Sequence, residues 1–219
     1  MRMSRRMGLL GGKKLALPTL AELFADMTIK KQKGRNSASS GTVSVNIGAN
    51  PSIYVFAFCN DRFAIHHLLS NGSEYGKTTL YRATNDRNAT NIHINGTSCY
   101  LSTDGGSNTK VYGGTIIAAT FPSYTDDQIS AVFGNISVKN SAGINASSKS
   151  QVSLSKANIA GEIILTAHNG AMCAAAVASP TKYIYASSDV KNYNSNNNIY
   201  LSTTGAGGSG VYGGTILTI

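Results

Sequence analysis

Tryptophan is absent from this 219-residue chain, cysteine occurs three times, proline four times, and only ten residues are acidic. Each scarcity excludes something. Ten scattered carboxylates nominate no acid/base pair of the kind that glycoside hydrolysis needs. An odd cysteine count (Cys59, Cys99, Cys173) argues against a disulfide framework. The three cysteines instead read as small buried apolar residues. No apolar run approaches the ~20 residues of a spanning helix. At 13% charged residues, with Gly, Ser, Thr and Asn abundant, the composition is unlike that of a helical bundle. It suits short strands joined by many turns.

The net charge of +9 is unevenly placed. Residues 1–35 hold nine basic and two acidic side chains, a net of +7, and residues 36–219 hold ten and eight, a net of +2. The basicity therefore belongs to a leader and not to a nucleic-acid-binding face. Residues 1–19 cannot bury enough apolar surface to fold alone, which makes them a flexible basic arm. One reading gives that arm no special role. The other makes it an anchor that orders on a partner, using Arg2, Arg5, Arg6, Leu9, Leu10, Lys13 and Lys14. Nucleic acid enters only as a contact of this arm. Its GLLGG core is too short and Gly-broken for a secretory signal, so synthesis in a reducing cytosol is expected.

The strongest pattern is internal. Tyr100–Ile117 (YLSTDGGSNTKVYGGTII) recurs at Tyr200–Leu217 (YLSTTGAGGSGVYGGTIL), with 11 of 18 positions identical. A match that long in constant register is a duplication. Upstream the offset grows to 109, so that Gly34 meets Gly143, Asn36 meets Asn145, and SIYVFAFCN (52–60) meets GEIILTAHN (161–169). Strands are expected near 27–31, 42–47, 52–59, 62–69, 78–83, 91–101 and 110–121, and again in the second copy. Thr19 and Glu22 form a capping-box pattern for at most a turn or two of helix. Ile136–Lys139 alternates as a strand would. The fold expected is all-β: two tandem duplicated β-sandwich or jelly-roll-like domains (20–122 and 129–219) after a basic N-terminal arm (1–19), joined by a linker at 123–128.

The motifs carry little chemistry. NGSEYGKT (71–78) spaces its glycines wrongly for a phosphate loop, and a strand follows where a helix is required. His66 and His67 are adjacent on a strand and point to opposite faces, so they share no metal ion. No G-x-S-x-G elbow is present. The glycine pairs Gly113–Gly114 and Gly213–Gly214 suggest a bulge or a close backbone approach. No catalytic residue, metal ligand or cofactor is nominated. Five N-x-S/T sequons are compatible with chance in so Asn-rich a chain.

A charged arm, tandem small β modules, low charge and abundant Gly, Asn, Ser and Thr together resemble the structural proteins of tailed-bacteriophage virions, namely decoration, head-fibre and tail-adaptor proteins. The resemblance implies a non-enzymatic protein that docks by its arm to capsid, portal or tail proteins, self-associates, touches no membrane and resides in the virion. The alternative is a carbohydrate- or cell-surface-binding protein that uses Tyr-bearing loops.

Overall fold

The computed structural model describes residues 16–72, 74–82, 90–104, 107–187 and 189–219. Among these residues the fold is all-β, four antiparallel sheets with two short α-helices. In the first half, helix α1 (Leu20–Asp26) is followed by β1 (Thr28–Gly41), β2 (Ser44–Asn46), β3 (Ser52–Cys59), β4 (Arg62–Ser70), β5 (Tyr75–Arg82), β6 (Asn91–Asn95), β7 (Ser98–Ser102) and β8 (Val111–Thr120). Helix α2 (Asp126–Gly134) opens the second half. After it come β9 (Asn140–Gln151), β10 (Ser153–Ser155), β11 (Ile163–His168), β12 (Ala171–Ala176), β13 (Tyr183–Ala186), β14 (Lys191–Asn194), β15 (Asn198–Ser202) and β16 (Gly210–Thr218).

The strand order of one half recurs in the other. A five-stranded sheet β1-β8-β3-β4-β5 is matched by β9-β16-β11-β12-β13, and a three-stranded sheet β2-β7-β6 by β10-β15-β14. The registers agree as well. β1 and β9 share one bulge, between Asn36↔Gly113 and Gly41↔Val111 and between Asn145↔Gly213 and Ser150↔Val211, and β1 has a second shift between Ile29 and Lys31. Both β3–β4 and β11–β12 turn through an asparagine at positive φ, Asn60 (56°) and Asn169 (45°). Asparagine tolerates that conformation in a two-residue hairpin turn.

The central strands are buried on both faces, and the alternation of their side chains sorts two cores. In β3, Ile53, Val55, Ala57 and Cys59 face β2, β6 and β7, forming a cluster with Val43, Val45, Ile92, Cys99 and Leu101. Their neighbours Tyr54, Phe56 and Phe58 face the other way, into a cluster shared by both halves. That cluster joins Phe63, Ile117 and Phe121 to Ile163, Leu165, Met172, Leu217 and Ile219, with Phe24 and Phe133 of the two helices inside it. A cluster around Ile164, Cys173, Val190 and Ile216 repeats the outer core in the second half. The sequence alone suggested two separately cored modules. The structure instead gives the halves a common core, because each five-stranded sheet has a second apolar face to cover.

The helices are exchanged. α1 precedes the first half but lies against β13 of the second, and α2 precedes the second but lies against β5 of the first. Thr19 and Glu22 form the expected capping box on α1. A second capping box, Thr125 with Gln128, starts α2. The segment expected to be a linker at 123–128 is therefore in part the first turn of a helix. Residues 136–139, expected to be a strand, are an irregular connection, and β9 begins at Asn140. The single strand expected at 91–101 is a hairpin, folded at Gly96 with φ of 57°. β1 runs on to Gly41, far past Lys31, as one edge of its sheet.

The arm boundary also moves. Pro18 is buried, Thr19 caps α1, and the Gln128 Nε2 donates to the carbonyl of Ala16 at 3.3 Å. Residues 16–19 are thus fastened to the folded body. Arg2, Arg5, Arg6, Leu9, Leu10, Lys13 and Lys14 lie outside the described residues. Among the described residues, no helix is long and apolar enough to cross a membrane.

Candidate functional site

Among the described residues, a hydroxyl, an imidazole, a carboxylate and a phenol converge under the start of α2. The β3–β4 register sets Tyr54 directly opposite His67, and their rings stack at 4.4 Å with 5° between planes. Ser52 is two residues before Tyr54 on the same face. Its Oγ lies 2.9 Å from His67 Nε2 and 3.1 Å from each carboxylate oxygen of Asp126. The Tyr54 hydroxyl donates to Asp126 Oδ1 at 2.8 Å. Asp126 is the first residue of α2, where its charge meets the exposed N–H groups of the helix.

These are the residue types of a hydrolytic triad, but the geometry differs. A triad base offers one ring nitrogen to the nucleophile and the other to the orienting carboxylate. Here hydroxyl and carboxylate meet the same nitrogen, with Asp126 Oδ2 at 3.6 Å from His67 Nε2. The Ser52 proton is held between two carboxylate oxygens and is directed at no acceptor in open space. Burial, then the Asp126 hydrogen bond, raises the Tyr54 phenol far above its usual range, so it remains a donor. Burial lowers His67, and Asp126 opposes that only in part. The arrangement is a clamp that fixes α2 on the sheet of the other half.

The second half shows what the clamp adds. At the 109-residue offset, Ser52, Tyr54 and His67 become Gly161, Ile163 and Ala176, and α1 starts with Leu20 where α2 starts with Asp126. Leu20, Val132, Gly161, Glu162 and Ile219 line a cleft of about 350 Å³ there. One copy fastens its helix with polar groups, the other with apolar contact. Asp126→Ala is accordingly expected to cost about 1–2 kcal/mol, because it removes the carboxylate acceptor of the Tyr54 hydroxyl and leaves Ser52 with His67 alone, discounted for a side chain that is 46% exposed. Asp126→Asn should recover part of the loss, and urea unfolding of both variants checks it.

A second set of contacts joins the halves at the glycine pairs. A Cβ on Gly113 would sit 2.1 Å from the Gly213 Cα, and one on Gly213 would meet Gly113 at the same distance. The two backbones touch, which is the close approach that the Gly-Gly pairs suggested. Asparagine amides fasten the crossing reciprocally. Asn145 Oδ1 accepts from the N–H groups of Tyr112 at 2.8 Å and Gly113 at 3.1 Å. Asn36 Oδ1 accepts from that of Tyr212 at 2.7 Å. On either side, the β3–β4 turn sits over Gly143 and the β11–β12 turn over Gly34. Thr215 Oγ1 donates to the Asn60 carbonyl at 2.6 Å, and Gly170 N–H donates to Thr115 Oγ1 at 3.1 Å.

The three cysteines and two further histidines are interior. Cys59, Cys99 and Cys173 are free and buried, and burial pushes each thiol up to about 12, far from the thiolate that nucleophilic or redox chemistry uses. His66 and His168 are buried with Nε2 unpartnered, and burial pulls both down to about 4. Among the described residues, no group of three His, Cys, Asp or Glu side chains is placed to hold a metal ion.

The sequence missed the clamp because its members are 15 and 74 residues apart. The signal was there: two residues at the Asn60–Asp61 turn imply the pairing of position 54 with 67. Comparison of the chain with protein-family models, with curated proteins and with solved structures gives no match.

Proposed function

We propose that this chain is a non-enzymatic structural protein of a tailed-bacteriophage virion. The basic arm docks to a capsid, portal or tail protein. The body, two duplicated β-sandwich halves, stands outward or assembles with further copies. The observation that carries this reading is the fusion of the halves through one core and a reciprocal set of Gly, Asn and Thr contacts. Such a body transmits load as one piece, which suits a particle component. Two further features support it. The polar constellation at α2 is spent on holding a helix, and the charge is concentrated ahead of residue 36, leaving a nearly neutral body.

The reading is tested by deleting residues 1–15, which leaves the Ala16 and Thr19 contacts in place. The truncated protein should retain the melting curve of the full chain and fail to enter particles assembled in an infected host. Undiminished incorporation would remove the arm from the account.

A further inference from the structure

The rim of the first half carries an open cleft of about 380 Å³, between the β4–β5 turn and the β6–β7 turn, lined by Glu74, Tyr75, Ile94, Asn95 and Gly96. That volume lies at the small end of ligand-binding clefts.

Its walls are held from outside. The Tyr75 hydroxyl lies 2.6 Å from the Gly48 carbonyl oxygen and 2.9 Å from that of Asn50. Its polar end is thereby occupied, and what Tyr75 offers the cleft is the carbon surface of its ring. The turn bearing Glu74 is closed on Asn71 twice. Glu74 N–H donates to Asn71 Oδ1 at 2.8 Å, and Asn71 N–H donates to the Glu74 carbonyl at 3.0 Å. On the facing wall, Gly96 turns the chain at φ of 57°, with open space where a side chain would be. Asn95 beside it is exposed, and Ile94 is anchored on the outer core.

The cleft thus combines a fixed aromatic ring, a carboxylate, an amide and a short aliphatic wall. A ring takes the C–H face of a pyranose, and a carboxylate with an amide takes a pair of adjacent hydroxyls. Charge favours a neutral guest. Lys77 follows Tyr75 by two residues on the same face of β5, and its Nζ donates to the Ile92 carbonyl at 3.2 Å, two residues before Ile94. Glu74 and Lys77, three residues apart in the chain, together carry no net charge, which suits a neutral guest.

The other half supplies an internal comparison. The corresponding rim cleft, beside the β12–β13 turn and β14, measures about 300 Å³ and is lined by Ile159, Val177, Pro180 and Ile199 with Lys156 and Asn194. It has neither the ring nor the carboxylate. The shared fold does not require those groups.

We infer that the Glu74–Tyr75–Asn95 cleft is a binding site for one neutral sugar unit, such as a hexose or N-acetylhexosamine at the end of a glycan. The inference is independent of the scaffold reading. It gives the first half a contact with a glycan, one site per chain.

The test uses the full chain on a printed array of neutral mono- to tetrasaccharides, followed by saturation-transfer NMR titration of the best-bound sugar. Expected is saturable binding at one site, weak as befits an open cleft, on the order of millimolar. Saturation should be strongest at the sugar C–H protons that lie on the Tyr75 ring. Glu74→Ala and Asn95→Ala, both at exposed positions, should each weaken binding about tenfold or more while leaving the melting curve and particle incorporation unchanged. No saturable binding to any neutral glycan would overturn the assignment. So would variants that bind as the wild type does, or displacement of the sugar by tetramethylammonium, which would mark a cation site.

Discussion

Replacing Gly113 by alanine is expected to cost about 3–5 kcal/mol and to lower the melting temperature by about 10 °C or more. The added methyl would lie 2.1, 2.6 and 3.0 Å from the Cα, N and C of Gly213. All three are backbone atoms of β16, a strand paired on both sides to β11 and β9. No flexible side-chain end is there to yield, so either the halves separate or both sheets deform. Separation would expose the shared aromatic core, and deformation would break the reciprocal Asn36 and Asn145 hydrogen bonds. Gly134→Ala is the control. It ends helix α2 with nothing within 4 Å of the added carbon, and the change should be neutral or slightly stabilising. Thermal denaturation followed by circular dichroism compares the two. A Gly113→Ala protein that melts like the wild type would show that the strands do not touch.

Acid should unfold the protein through its histidines. His66 and His168 are buried, with a ring nitrogen that no partner satisfies. Both are pulled by burial from 6.5 down to about 4. The sign follows from linkage. Below 6.5 the unfolded chain takes up protons that the native imidazoles refuse, so native stability is whole above 6.5 and is lost as the pH falls towards 4. By pH 5 the loss is about 2 kcal/mol for each of the two, and His67, lowered in the same direction, adds to it. Urea midpoints at pH 7 and pH 5 measure this. The H66Q/H168Q double variant should flatten the difference even if it lowers the pH 7 midpoint. Equal midpoints for the wild type would mean that the imidazoles are solvated or paired in the native state.

Much of the architecture was written in the repeats. The 109-residue offset that aligned Gly34 with Gly143 and Asn36 with Asn145 also aligns the bulges and turns of the structure, since register is fixed by alternation and turn length. The strand expected near 52–59 is β3, and its run Ile53–Cys59 is buried on both faces. What it left open was the partner on each face. Tyr54, Phe56 and Phe58 cover the opposite half, and nothing local distinguishes an intramodular neighbour from an intermodular one. The Gly-Gly pairs signalled a close approach without naming its partner, which is the other pair. Thr125–Gln128 carried the same capping signal as Thr19–Glu22. It was obscured by Pro122 and the two aspartates, which read as a solvated linker although acidic residues favour a first helical turn. Ser52, His67 and Asp126 became visible as a unit only when that helix was placed on the other half. The Glu74 cleft likewise depends on two turns meeting that are some twenty residues apart in the chain.

The two halves form one body around a shared core. Differential scanning calorimetry tests it most directly, by comparing the van't Hoff enthalpy of unfolding with the calorimetric one. A single endotherm with a ratio of about one is expected, because the halves share their aromatic core and cannot unfold separately. Two endotherms, or a ratio near about one half, would show two independent modules joined only by the chain, and would contradict the account.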